Sequence, residues 1–195
     1  FSRLYETHGD LTNARIVLEK ATQAEYMYVD DLAHVWCAWV ELELRHDCFT
    51  QALQVLRRAT EPHPEYAELQ RRKLANPGSG PLPVHVRVHR TLRLWNLLVD
   101  LEESLGSLDS VKAAYYRMLD QKIATPQTVL NFASLLQEKG YYEEAFRVYE
   151  RGVQTFMFPN SREIWLAYLQ KFIARYGGDK LERTRDLFEE ALVQC

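Results

Sequence analysis

His85 and His89 stand four residues apart, the spacing that places two imidazoles on one face of a helix where they could share a metal ion. No HExxH-type carboxylate and no nearby cysteine completes such a site. Val84, Val86 and Val88 favour an extended segment, so the expectation is a solvated loop without metal. Glu102-Glu103 and Glu189-Glu190 are adjacent acids, the raw material of acid–base catalysis. Neighbouring positions on a helix point to different sides and cannot share a proton, so these acids are expected on a solvated face. Gly78-Ser79-Gly80 is followed by Pro81 and lacks the Lys-Ser/Thr pair of a phosphate-binding loop. No Ser/His/Asp set or Cys/His pair stands out. Cys37, Cys48 and Cys195 form no CxxC pair and are odd in number, which predicts buried or half-buried free thiols in a reducing compartment. The residues therefore predict neither an enzyme nor a cofactor-binding protein.

Charge is the remaining lead. Between Gln70 and Val99 there is no acid, while Arg71, Arg72, Lys73, Arg87, Arg90 and Arg93 supply six cations. Removing those six from the 24 cations of the chain leaves 18 against 27 acids, so one basic island sits on an acidic body. Cations without acids attract phosphate backbones and carboxylates alike, and these six are expected to contact RNA or an acidic partner segment.

The elements that must carry these residues are helical and repeated. Trp36, Trp95 and Val129 are each followed sixteen residues later by Ala52, Val111 and Ala145; in a further copy Trp165 is followed nineteen later by Thr184. Ala14 marks a truncated first copy. A second slot seven residues on holds Ala21, Ala59, Met118, Gly152 and Ala191. A two-helix unit recurring at this period predicts an all-α solenoid, a right-handed α-α superhelix of about five antiparallel helix hairpins. Leu92, Trp95, Leu98 and Leu101 recur at helical steps, with Gly106 expected to end that helix in the left-handed conformation. Ser107-Leu108-Asp109 is expected to turn the chain into a second helix, Val111 to Leu119. The next copy predicts helices over 129–138 and 143–153, with Gly140 at the turn. Gly9 and Asp47 fill the corresponding turns earlier in the chain. Trp36, Trp39, Trp95, Trp165 and Tyr168 are expected to pack the repeats. Ala14, Ala52, Ala59, Ala145 and Ala191 are expected to let the helices approach closely.

The predicted repeats cover about 1–22, 32–60, 91–121, 126–154 and 161–195, in one array interrupted by an insertion at about 61–90. Glu61-Pro62-His63-Pro64 breaks a helix, residues 65–74 form a short extra helix, and the Pro- and Gly-rich stretch 76–83 is irregular and mobile. Mean hydropathy is −0.36 and no apolar run approaches membrane-spanning length. The chain opens inside a repeat at Phe1, without initiator Met or signal pattern, and Cys195 falls at a helix end. Both features predict a fragment of a longer array.

Several stretches carry a family resemblance. Aromatic residues three to four apart are followed by Glu, then Gly, then a helix that opens with Ala and closes in Tyr149-Glu150-Arg151-Gly152 or Glu189-Glu190-Ala191-Leu192. This pattern resembles the half-a-TPR (HAT) repeat of RNA-processing machines. Residues 29–36 (Val29 to Trp36) and 41–46 (Glu41 to His46), Asp100-Leu101-Glu102-Glu103-Ser104-Leu105-Gly106, Lys122 to Gln127 and Lys171 to Gly178 look like the Syf-type pre-mRNA splicing factors, also called the xeroderma pigmentosum group A binding protein family. The resemblance covers nearly the whole chain except the insertion. It departs from the family pattern at Val129, Val111 and Thr184. It implies a nuclear, non-enzymatic scaffold in the Prp-nineteen-associated part of the spliceosome, beside an Aquarius-type helicase. It also implies a second role in transcription-coupled repair and protein partners first, with RNA contact secondary and no membrane or small-molecule substrate. The competing readings are a HAT scaffold of mRNA 3′-end cleavage or ribosomal RNA processing, a TPR-like co-chaperone that clamps acidic peptides, and a direct RNA-binding module.

Overall fold

Turn-forming and capping residues divide the chain into helices. The computed structural model describes residues 2–194; Phe1 and Cys195, and with them the expected C-terminal thiol, lie outside the described residues. Among the described residues there are helices and no strand, as the all-α, hairpin-built reading requires. The chain divides into two compact units, the boundary falling between Ile123 and Ala124.

The first unit contains α1 (Ser2–Thr7), α2 (Leu11–Gln23), α3 (Val29–Arg45), α4 (Phe49–Ala59), α5 (Tyr66–Ala75), α6 (Val84–Arg87), a 3₁₀ turn (Val88–Arg90), α7 (Leu92–Leu105) and α8 (Leu108–Asp120). Helices α1 with α2, α3 with α4, and α7 with α8 form the hairpins; α2 packs on α3, and α4 on α7. The second unit contains α9 (Pro126–Glu138), α10 (Tyr142–Thr155), α11 (Arg162–Tyr176) and α12 (Leu181–Gln194). There α9 pairs with α10 and α11 with α12, while α11 packs against both α9 and α10.

The starts and stops have local causes. Asp10 caps α2 by accepting the Asn13 N–H at 3.1 Å. Ser107 and Ser110 form a reciprocal box at the start of α8, and Thr125 and Thr128 do the same for α9, which carries Pro126 in its first turn. Helix α8 therefore begins at Leu108, and the expected three-residue turn contracts to Gly106 and Ser107. Gly9 (φ +76), Asp47 (φ +57) and Gly140 (φ +84) take the left-handed conformation that reverses the chain inside three hairpins. Gly106 does not: its φ is −88, and its need for glycine is one of space. A Cβ there would lie 2.6 Å from Ser110 Oγ and 2.7 Å from the Glu102 carbonyl, where the turn is tightest.

Ala14, Ala52, Ala59, Ala145 and Ala191 are all buried, as are Val111, Met118 and Gly152; Ala21 and Thr184 are half-buried. Gly152 lies within α10, in its last turn, and glycine inside a helix costs about 1 kcal/mol against alanine. A Cβ on it would lie 2.7 Å from Val129 Cγ1 of α9 and 3.3 Å from Ile164 Cδ1 of α11. Close approach of three helices accounts for the choice. Gly152→Val is expected to destabilise the second unit by about 2–3 kcal/mol through overpacking. Urea unfolding followed by circular dichroism checks it, with Gly152→Ala falling between because helix propensity offsets part of the strain.

The tryptophans are interior. Trp36 and Trp39 stack with ring centroids 5.9 Å apart, and Arg58 of α4 lies 5.0 and 5.2 Å from the two rings. Trp165 stacks on Tyr168 at 6.1 Å, and Tyr168 continues into Tyr149, Phe146 and Phe172, an aromatic core for the second unit. The Tyr168 hydroxyl donates to Glu150 Oε1 at 2.9 Å. Burial, and after it the Glu150 carboxylate, raise its pKa well above the ordinary tyrosine value.

The insertion departs most from expectation. Residues 84–90 form α6 and the 3₁₀ turn, so Val84, Val86 and Val88 are helical and not extended. Pro83 presets the entry, and Val86, Val88 and His89 turn inward, the segment packing against α3. Burial of three apolar or aromatic groups outweighs the intrinsic β preference of valine, which measures packing more than backbone. His89 is buried instead of solvated: its ring meets Tyr66 edge-on at 4.5 Å, and its carbonyl accepts the Trp95 indole N–H at 2.6 Å.

Burial holds the His89 imidazole below its usual pKa, with Arg90 and His63 adding smaller repulsion against a backbone hydrogen bond at Val86 that works the other way. A histidine in the unfolded chain titrates near ~6.5. Below that pH the unfolded state binds a proton that the folded state refuses, so this contribution to stability falls as pH drops from neutral toward the folded-state value. The thermal midpoint is expected to fall between about pH 7.5 and 5.5, and His89→Phe is expected to flatten that dependence. An undiminished slope in the variant would remove His89 as its origin.

Candidate functional site

The six predicted cations do not form one patch. Arg71, Arg72 and Lys73 ride on the exposed side of α5, where Arg72 pairs with Glu68 one turn back. Arg87 ends α6 and Arg90 ends the 3₁₀ turn, both fixed by the inward packing of Val86, Val88 and His89. Arg90 Nη1 donates to the Tyr66 hydroxyl at 2.8 Å and Nη2 to the Gln121 carbonyl at 3.2 Å, tying α5, the 3₁₀ turn and the end of α8 together. Arg93 lies elsewhere, in a hollow of about 460 Å³ between α3 and α7. Glu41 and Asp100 line the same hollow. Arg93 also lies beside the Cys37 thiol, whose pKa burial pushes up.

Lys73, Arg87 and Arg90 come together around a cavity of about 510 Å³ between α5 and α6. Its other walls are Tyr66, Gln70, Leu74, Pro77 and Leu82. Three cations and no acid line it. The Arg87 Nε is buried without a hydrogen-bond partner, and neither Lys73 nor Arg87 makes an ion pair among the described residues. Leu74 is 75% exposed, a large apolar side chain left open beside the cations. The sequence reading missed Tyr66, Leu74, Pro77 and Leu82 as site residues. The signal was present: Leu74 stands just before, and Leu82 within, the Pro- and Gly-rich stretch that was read only as an irregular connection.

A second hollow, about 450 Å³, opens in the second unit among Ser134, Gln137, Glu138, Tyr142, Lys171 and Arg175, with the Arg175 guanidinium 4.4 Å from the Tyr142 ring. Sequence reasoning also missed two buried acids. Glu43 accepts Arg15 in a two-pronged pair at 2.8 and 2.7 Å and the Trp39 indole N–H at 3.1 Å. Glu102, expected on a solvated face, is buried: its Oε1 accepts Arg57 Nε at 2.9 Å and Nη2 at 2.7 Å, and its Oε2 accepts Ser110 Oγ at 2.6 Å. Its neighbour Glu103 accepts the Tyr115 hydroxyl at 2.7 Å. Each carboxylate is used for structure. Cys37 is a buried free thiol and Cys48 a half-buried one. No three His, Cys, Asp or Glu among the described residues gather to hold a metal, and no described helix is long and apolar enough to cross a membrane.

Antiparallel hairpins stacked through buried aromatics and small residues, with hollows between helices, define a helical-repeat protein. Residues 1–195 match the family model of the Pre-mRNA-splicing factor Syf1/CRNKL1 C-terminal HAT repeat. Over its whole length the chain is 52% identical to the human Pre-mRNA-splicing factor SYF1, 46% to the Drosophila melanogaster Pre-mRNA-splicing factor syf1 homolog and 43% to the Schizosaccharomyces pombe Pre-mRNA-splicing factor cwf3. It belongs to the Syf1/CRNKL1 HAT-repeat family, as the resemblance in its sequence indicated. It covers 22%, 21% and 24% of those three relatives, about a fifth to a quarter of their length.

Proposed function

We propose that this chain is a non-enzymatic scaffold segment of the spliceosome, acting in the nucleus. The observation that carries the proposal is the match of all 195 residues to the Syf1/CRNKL1 family model, together with relatives named as splicing factors from human to fission yeast. The structure supports a holding role by its chemistry. The two buried acids, Glu43 and Glu102, are spent on ion pairs and the tryptophans on packing, which leaves the grooves and the exposed charged side chains to meet other molecules. Helical-repeat proteins recognise partners in this way, through many contacts spread along an extended surface. On this reading the hairpins form one array, interrupted by residues 61–90, within a longer superhelix. Its partners are proteins of the Prp-nineteen-associated, intron-binding assembly and the Aquarius-type helicase neighbourhood, and RNA contact is secondary. A contribution to transcription-coupled repair belongs to the same reading.

The test is affinity capture from nuclear extract with the tagged 195-residue chain, followed by mass spectrometry. Enrichment of spliceosomal proteins over a scrambled-surface control is the expected result. Enrichment of 3′-end cleavage factors, ribosomal RNA processing factors or chaperones in their place would overturn the assignment to splicing.

A further inference from the structure

We propose that the cavity between α5 and α6 seats an apolar side chain of an acidic segment in a partner protein. The inference rests on the scaffold reading and specifies which chemistry one part of the scaffold holds. Three features of the cavity fit that occupant. Its walls include Leu74, Pro77 and Leu82, so an aliphatic or aromatic side chain entering it exchanges water for apolar surface on both partners. Its rim carries Lys73, Arg87 and Arg90 with no acid among the lining residues, and the stretch from Gln70 to Val99 contains none. A carboxylate on either side of the anchor would therefore meet only favourable potential. Arg87 lines the cavity and makes no ion pair among the described residues, so its guanidinium is a cation that such a carboxylate can neutralise.

The same features disfavour nucleic acid as the occupant. Sites for single-stranded nucleic acid combine a cationic track with aromatic faces that stack on bases. Tyr66 is the one aromatic residue lining the cavity, and it is committed: its ring meets His89 edge-on and its hydroxyl accepts Arg90. The cations ring a hole instead of following a line, since Arg72 is paired with Glu68 and Arg93 lines another hollow together with Glu41 and Asp100. An apolar anchor in a pocket with a charged rim is the geometry of a protein-recognition hot spot.

The experiment uses the whole 195-residue chain and fluorescence anisotropy. The probe is a fluorescein-labelled peptide with a Leu-Phe pair between two aspartate blocks; a peptide with Ser-Ser in place of Leu-Phe and a labelled oligouridine serve as competitors in kind. The expected Kd for the Leu-Phe peptide is on the order of 10–100 μM, and about tenfold weaker binding is expected on Leu74→Ser, on Lys73→Glu, and on loss of Leu-Phe from the peptide. Leu74 and Lys73 are exposed on α5, so both variants are expected to fold, and Arg87→Gln provides a third reading at a rim cation. Equal binding of the Ser-Ser peptide, or indifference to Leu74→Ser, overturns the proposal. So does oligouridine binding that is tighter than the peptide and lost on Lys73→Glu. The nuclear-extract capture separates the two claims. Peptide binding without recovery of splicing proteins sinks the scaffold assignment and leaves the cavity's chemistry standing; recovery of splicing proteins without peptide binding does the reverse.

Discussion

Trp95→Ala is expected to lower the unfolding free energy of the first unit by about 3–5 kcal/mol, the range for deleting a large buried ring. The ring is fully buried, and it reaches two neighbours at once. Arg117 of α8 lies over it, 5.0 Å from the centroid, and its indole N–H donates to the His89 carbonyl at 2.6 Å. Truncation therefore opens a void between α7 and α8 and also strands a buried carbonyl of the inserted segment. Against a total stability of about 5–15 kcal/mol for a typical domain, the loss is a large fraction. Trp95→Phe keeps most of the apolar surface and loses the hydrogen bond, so a smaller decrease of about 1–2 kcal/mol is expected. Urea denaturation followed by far-ultraviolet circular dichroism measures both. A loss below about 1 kcal/mol for the alanine variant would mean that the indole carries little of the packing assigned to it.

Periodicity made the helices readable because it reports burial directly. Trp36, Trp95 and Trp165, with Ala52, Ala145 and Ala191, lie inside because the same side chains that set the spacing are those the hairpins bury. Two kinds of feature were not legible. One is the direction in which a short segment turns: Val84, Val86 and Val88 alternate like a strand, yet they coil so that Val86, Val88 and His89 are buried and the segment packs on α3. Local preference lost to tertiary burial there, which includes the His89 ring against Tyr66, and a sequence without its neighbours contains only the preference. The other is pairing across distance. Glu102 looked like a surface acid because its partner, Arg57, lies 45 residues away beyond an insertion. The basic island was legible as composition and misleading as a site. Of its six cations three line the α5–α6 cavity, and the apolar residues that give that cavity its shape carry no charge pattern to mark them.

Arg57→Ala is expected to cost about 2–3 kcal/mol, more than Glu102→Ala, although the two residues form one pair. The asymmetry follows from where each sits. The Arg57 side chain is 52% exposed and the Glu102 side chain 3%, so losing the acid leaves a guanidinium that can turn to water. Losing the arginine leaves a carboxylate with only the Ser110 hydroxyl in a site closed to solvent. The double replacement Arg57→Met with Glu102→Met is expected to recover most of the loss, to within about 1 kcal/mol of the parent, because exchanging a buried pair for well-packed apolar groups is often neutral. The protein itself contains the precedent. Seven residues after Trp36 and Trp95 stand Glu43 and Glu102, each accepting an arginine from the preceding hairpin; seven after Val129 and Trp165 stand Leu136 and Phe172, both buried. One structural position thus tolerates a paired acid in the first unit and an apolar side chain in the second. What it does not tolerate is an acid alone. Chemical denaturation of the two single variants and the double variant tests this: equal losses from both single replacements, or a double variant no better than the worse of them, would show that the pair contributes attraction instead of satisfying a carboxylate that packing has already buried.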